Sequence, residues 1–305
     1  MKRAIITGAT GAIGTALIAE LVNNNIEVLV LCNRNSKRKD RIPKHPLILQ
    51  KECSLNEMVT MQNDTGKEYD VFYHFAWAGT TGPERNDMYL QNENVRFALD
   101  AINLAKRFGC KTFIGAGSQA EYGRYEGLLK PDTPVFPEMG YGMAKLCAGQ
   151  MTRMEAQKLG MRHIWTRILS VYGPNDGPNS MVMSTIHKLQ NGELPEFTKG
   201  EQIWDFLYNG DAAKAFLLLA DRGIDGKTYI LGSGNGKPLK EYIEIIRDVV
   251  SPGAELGIGK LPYSDKQVMY LCADITETKQ DLDWTPQMTF REGIKKIMEE
   301  ICYEG

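Results

Sequence analysis

"ITGATGAIG", residues 6–14, decides how the rest of the chain is read. It follows a short apolar run, "RAIIT" (3–7), and leads into an amphipathic pattern over 13–24. Gly8, Gly11 and Gly14 stand three apart. A dinucleotide site needs glycine at such places, for a tight turn, for close approach of backbone to a pyrophosphate and for close helix–strand packing. The helix that follows offers free N–H groups and the positive end of its dipole to the phosphates. A bare βα turn has the same glycines. The strand before and the helix after favour dinucleotide binding, with Gly8, Thr10, Gly11, Ala12, Ile13 and Gly14 as candidate contacts.

Outward from this stretch, strand-like and helical patterns alternate. Strands are expected at 3–7, 26–32, 46–49, 70–76, 111–117 and 162–169, and helices at 13–24, roughly 90–107 and 141–158. Alternation of this kind predicts a parallel sheet covered on both faces, an α/β fold of the doubly wound Rossmann type. "SVYGPNDGPNS" (170–180) reads as loop. Beyond it, helices are expected at 181–191, 210–222, 238–250, 275–282 and 290–301, and strands at 203–208 and 228–232. No repeat, low-complexity tract or linker divides the chain. The expected organisation is a dinucleotide-binding part, 1–170 with 201–232 returning to it. A smaller, mostly C-terminal α/β substrate-binding part, 171–200 and 233–305, folds against it.

The totals exclude several classes. The chain has 305 residues, 43% hydrophobic and 24% charged, with a formal net charge of -2. That charge implies no general attraction to nucleic acid or to a membrane surface. No apolar run approaches the ~20 residues of a membrane helix. The six cysteines form no CxxC pair, and no secretory or targeting segment is expected ahead of the first strand. Reduced thiols in a cytoplasmic protein are expected, with Cys110 and Cys147 in the core. No His, Cys and carboxylate cluster has metal-ligand spacing.

The end of the second strand bears on cofactor choice. An NAD site usually carries an acidic residue there for the ribose 2′-hydroxyl. "LCNRNSKRK" (31–39) has none before Asp40, and offers Asn33, Arg34, Ser36, Lys37 and Arg38 instead. A guanidinium suits a 2′-phosphate. The alternative is a solvated basic loop. NADP(H) is expected over NAD(H), with Asn33, Arg34 and Lys37 as contacts.

"MGYGMAKLCAG" (139–149) places Tyr141 and Lys145 four apart. On a helix both side chains share one face. This is either an ordinary pair or a device that lets a phenol exchange protons near neutral pH.

With these stretches in hand, the chain resembles the extended short-chain dehydrogenase/reductases, the NAD(P)-dependent epimerase/dehydratase group. "TGATGAIG", "YHFAW" (73–77), "GAGSQAEYG" (115–123), "YGMAK" (141–145), "RILSVYGP" (167–174) and "WDFLYNGDAAKA" (204–215) occur in that group's order. Most such proteins act on nucleotide-linked sugars. The resemblance implies Ser118, Tyr141 and Lys145 as catalytic residues, with Lys145 also on the nicotinamide ribose. It implies that 74–78, including Ala76, lies against the cofactor, and that Asn94 supports the site. Substrate contacts are expected from Ser118, Gln119, Tyr172 and Trp204, and a homodimer through the helices at 90–107 and 141–158. His74, at the end of a buried strand, is either a packed core histidine or part of the cofactor site.

Two departures bear on substrate. Trp204 stands where many members have an arginine that grips the substrate diphosphate, and 262–274 lacks another arginine; Lys260 or Lys266 would be point charges in their place. The acidic pair of sugar 4,6-dehydratases is replaced by Gln119-Ala120. The expected function is NADPH-dependent reduction of a keto group on a nucleotide-linked deoxysugar. A nucleotide-sugar epimerase that retains its cofactor, and a non-catalytic dinucleotide-binding protein, are the alternatives. An intact Ser–Tyr–Lys set argues against the last.

Overall fold

The computed structural model describes residues 1–304. Seven strands form the main sheet: β1 (Arg3–Thr7), β2 (Glu27–Cys32), β3 (Ile48–Glu52), β4 (Val71–His74), β5 (Thr112–Ser118), β6 (Arg162–Ile168) and, later in the chain, β10 (Thr228–Leu231). Their order is β10-β6-β5-β4-β1-β2-β3, and each neighbouring pair is parallel. Central strands are buried on both faces, which explains why β5 reads as an unbroken buried run.

Helices cover the two faces in pairs. On one face lie α1 (Ala12–Asn23) and α5 (Asn209–Arg222), which pack through Leu17, Ile18, Leu21, Phe216 and Leu219. On the other lie α2 (Met88–Arg107) and α3 (Gly140–Leu159), which cover the sheet through residues such as Ile102, Leu104, Ala105 and Ala156. The strand order reverses between β1 and β4. That switch point opens a crevice at the carboxyl ends of the strands.

A separate core joins the later elements. α4 (Met181–Gln190), α6 (Leu239–Val250) and α8 (Phe290–Glu304) meet through Ile186, Ile246, Ile294 and Ile297, with Tyr172 among them. α7 (Thr276–Leu282) packs against α5 and β10.

The structure differs from the sequence expectation in places. Ser170–Tyr172 is a short strand, β7, inside the stretch read as loop. The expected strand 203–208 is broken into β8 (Ile203–Trp204) and β9 (Phe206–Tyr208). β8 pairs with β11 (Lys237–Pro238), and β9 pairs with β7. Asp205 is the cause. It is fully buried, and its carboxylate accepts from the Ser233 and Gly234 amides, the Ser233 hydroxyl and the Ala273 amide. Turning that side chain inward ends one pairing and starts the next, and the carboxylate anchors the chain around 273. Cys110 is buried, whereas Cys147 is exposed on α3 beside Met151, not in the core. Among the described residues no helix is long and apolar enough to cross a membrane.

Candidate active site

A cleft of about 1170 Å³ opens over the ends of β1, β2 and β4. Its floor is the glycine turn. Gly8 has φ +71, and a Cβ there would stand 2.6 Å from the Ala76 amide nitrogen. A Cβ on Gly14 would meet the Gly8 carbonyl at 2.4 Å. Both positions therefore exclude a side chain for internal reasons. Gly11 does not: its nearest neighbour would be 3.7 Å away, and it faces the open cleft. It is also the N-cap of α1 and brings no side-chain cap. The first N–H groups of that helix thus have no side-chain partner, an arrangement that suits a phosphate. These residues fit a dinucleotide pyrophosphate.

Two side chains tie this floor to the 173–180 loop on the facing wall. Arg41 donates to the Thr10 and Asn175 carbonyls, at 3.3 and 2.8 Å. Asn209 donates to the Ala12 and Pro174 carbonyls. At the far end the wall after β2 is formed by Asn33, Asn35, Ser36, Lys37 and Arg38. Arg34 is turned away and reaches Glu57 at 3.2 Å and Glu52 at 3.7 Å. The expectation that Arg34 lacked an acidic partner is corrected here, because β3 and the turn after it bring two glutamates alongside that a linear reading could not place.

The second half of the site lies beyond Trp77. Ser118 ends β5 and Tyr141 stands in the first turn of α3, with the Ser118 hydroxyl near enough to favour the ionised phenol. Lys145, one turn on, is buried, and its ammonium donates to the Ala116 carbonyl at 2.6 Å. The same ammonium sits 3.8 Å from the centre of the Trp77 ring. Trp77 in turn donates from its indole to Gln91 and meets the Tyr141 ring edge-on. Arg85 lies over the face of Tyr141, 4.6 Å from its centre.

The electrostatics follow from burial. Burial pushes the Tyr141 phenol above its ordinary value, while the Ser118 hydrogen bond and the Arg85 charge pull it back. Burial also pushes Lys145 down to about 7, with Glu121 opposing. The Arg85 charge lowers the phenol, and the Lys145 ammonium lies 5.8 Å from the centre of its ring.

Beneath the serine is a buried ion pair. Glu121 is fully buried; it accepts from the Ser118 amide at 2.9 Å, the Trp165 indole at 3.0 Å and Arg167 at 2.9 Å. Ser118 also caps the short 119–121 turn, in a Ser-x-x-Glu capping box. That spacing was visible in "GSQAEYG", but nothing in it announced a buried arginine partner on β6. Asn94 holds the segment after β4 by bonding both the amide and the carbonyl of Ala78.

Other expected residues fall elsewhere. Thr10, Gly11, Ala12, Asn33, Lys37 and Ala76 line the cleft. Ile13 is half-buried against the core, and Gln119 is half-buried beside Ser118. Tyr172 is 1% exposed, packed on Phe290, and donates to carbonyls of Thr289 and Phe290, so its side chain belongs to the C-terminal core. Trp204 donates to Ser170 from a half-buried position. Lys260 faces Glu196 at 3.5 Å. His74 is a packed histidine, bonded to Thr7 and pushed by burial down to about 3.

Comparison with known proteins identifies the family and the fold. A UDP-glucose 4-epimerase of Corynebacterium glutamicum is 25% identical over 97% of this chain and 93% of its own. A dTDP-4-dehydro-6-deoxyglucose reductase of Escherichia coli is likewise 25% identical, over 97% and 96%. The crystal structure of a Thermotoga maritima UDP-glucose 4-epimerase with UDP-glucose superposes with a TM-score of 0.89 at 22% identity, covering 99% of each chain. The NAD dependent epimerase/dehydratase family matches residues 4–232, so the chain is a member of that family and an enzyme of the extended short-chain dehydrogenase/reductase type.

Proposed function

We propose that this enzyme uses NADPH to reduce a keto group on a nucleotide-linked deoxysugar. The observation that carries the chemistry is that Ser118 at the end of β5 and Tyr141 in the first turn of α3 act on each other, with Lys145 one turn away. When bound, NADPH supplies the hydride. Ser118 donates a hydrogen bond to the ketone oxygen, where charge develops. Tyr141 gives that oxygen its proton. Lys145, fixed by Ala116 and Trp77, orients this corner. The preference for NADP(H) rests on the wall after β2, where Lys37 and Arg38 line the cleft beside Asn33, Asn35 and Ser36.

An epimerase with retained NAD(P) is the second reading. The commitment of Arg34 to two glutamates favours it, as do the epimerases among the relatives. Incubation with NADPH and a panel of nucleotide-linked 4-keto-6-deoxysugars separates the two. Loss of absorbance at 340 nm, one NADPH per product, is expected. A sugar that isomerises with no net NADPH consumption overturns the reductase reading.

The dinucleotide part is taken as 1–170 with 201–232, and the sugar part as 171–200 with 233–305. A homodimer is proposed through α2 and α3. Met143, Cys147, Met151 and Met154 are exposed along α3, and Met88 and Tyr89 at the start of α2. A second copy covering this strip would form an isologous contact. A monomeric mass by light scattering at micromolar concentration rejects it. All six thiols are free, which fits a cytoplasmic location.

A further inference from the structure

Trp77 stands in the cleft wall just after β4, half-buried, and its indole is fixed from behind. The indole N–H donates to the Gln91 side chain at 2.8 Å. Gln91 is 1% exposed and spends both amide hydrogens, on the carbonyls of Gly79 at 2.9 Å and Glu84 at 3.0 Å. Asn94, three residues further along α2 and so on the same helix face, holds the neighbouring Ala78 by its amide and its carbonyl. The ring cannot turn without breaking this buried network. It also packs against Val95, Ala98, Ala144 and Ala148, between α2 and α3. Packing alone needs a ring of this size, not a ring held at one angle.

The fixed ring faces the reacting corner. The Lys145 ammonium stands 3.8 Å from the ring centre, inside the about 6 Å range of a cation–π contact. The Tyr141 ring meets the indole edge-on at 6.2 Å. Trp77 thus touches two of the three residues to which the chemistry is assigned. Lys145 is buried, and burial works against its charge. The Ala116 carbonyl takes one of its three hydrogens. Glu121 attracts it, but is itself paired with Arg167. The negative face of an aromatic ring supports an ammonium without taking its proton. It also leaves the remaining hydrogens for a ligand.

We propose that Trp77 is a positioning residue: its ring face seats the charged Lys145 ammonium beside Tyr141, where that charge serves both the cofactor and the phenol.

This inference rests on the reading of Lys145 as the residue that meets the cofactor beside Tyr141, and a double-mutant cycle on cofactor affinity keeps the two apart. Trp77→Leu, Lys145→Met and the double variant are titrated with NADPH and with NADH by calorimetry, alongside kcat and KM for the keto sugar. Trp77→Leu is expected to weaken the tighter cofactor about tenfold, the scale of a desolvated cation–π contact, and to lower kcat rather than raise KM. In the Lys145→Met background the same change should cost less than about twofold, because the group it acts through is gone. Trp77→Phe keeps a ring face and should recover most of the loss. Additive losses in the double variant overturn the proposal, as does an unchanged affinity in Trp77→Leu with native circular dichroism. If Trp77→Leu does not fold, ring-fluorinated tryptophans in place of Trp77 keep its shape and weaken its π face in steps. Affinity should then fall with each added fluorine, and a flat series overturns the role of the ring. Lys145→Met with undiminished cofactor affinity and turnover overturns the underlying reading of the lysine instead, whatever the Trp77 variants show.

Discussion

The two ends of the site are built from different materials. The phosphate end is backbone: glycines, a helix N-terminus and carbonyls tied by Arg41 and Asn209. The end proposed for catalysis is side chains, several ionisable and mostly buried: Glu121, Arg167, Lys145 and Tyr141. A backbone site tolerates no added atoms but is indifferent to protonation. A buried ionisable site is the reverse, sensitive to single charges and to pH. Variants at the two ends should therefore fail differently.

The sharpest contrast is expected from Tyr141→Phe. The ring and its contacts with Trp77 and Arg85 survive, while the proton is lost. General acid catalysis contributes about 10²–10⁴-fold, and turnover should fall by about that factor. NADPH affinity should be nearly unchanged, because the cofactor is gripped at the other end. Lys145→Ala should lower both turnover and cofactor binding. Stopped-flow turnover alongside fluorescence titration of NADPH checks both, and equal losses in rate and binding for Tyr141→Phe would erase the distinction drawn between the two ends.

Next in size is the ion pair under Ser118. Glu121→Ala leaves Arg167 buried without its partner, and breaking such a pair costs about 3–5 kcal/mol. The denaturation midpoint should drop accordingly. Turnover should also fall, since the turn that presents Ser118 loses its carboxylate bond to the Ser118 amide. Replacing both partners together, Glu121→Leu with Arg167→Met, should recover much of the stability, because no orphaned charge remains. If the double variant is as unstable as the single one, packing rather than charge explains the loss.

That pair also marks the limit of what was legible. The phosphate end could be read from spacing because Gly8, Gly11 and Gly14 all fall within nine residues, between a strand and a helix. The order of strands and helices could be read for the same reason: apolar periodicity is local. Glu121 and Arg167 lie on β5's following turn and on β6, and only the pairing of those strands brings them together. Asp205 is similar: it meets its partners, Ser233, Gly234 and Ala273, across 28 residues or more. Tyr172 sat inside a promising motif and still folded into a core, because Phe290 and Gly293 arrive from the far end of the chain.

A smaller effect concerns pH. His163 is stacked between Phe113 and Trp165 and bonded to Thr152, and burial, then Arg153, pushes it down to about 4. Its unfolded value is near 6.5. Between those values the unfolded chain binds a proton that the folded ring refuses. Stability therefore falls as pH drops from about 6.5 to 4, by up to about 1.4 kcal/mol per pH unit for this group. His163→Gln removes the titration and should flatten the acid limb of urea midpoints over that window. An unchanged slope would place the acid sensitivity elsewhere.

The smallest expected effect tests the far wall of the cleft. Arg34 is more than half exposed and already shared between Glu57 and Glu52. Exposed pairs of this kind contribute little, so Arg34→Ala should change NADPH affinity by less than about threefold. Arg38 and Lys37 face the cleft from the same turn, beside Asn33, Asn35 and Ser36. If a 2′-phosphate is read there, Arg38→Ala should weaken NADPH about tenfold, a difference of ~1.4 kcal/mol, and leave NADH almost untouched. Calorimetric titration of both cofactors with both variants decides it. A large loss in Arg34→Ala alone would mean that the arginine leaves its glutamates to meet the phosphate. Equal NADPH and NADH affinities in every variant would mean that this wall does not discriminate at all, which would favour the epimerase with a retained cofactor.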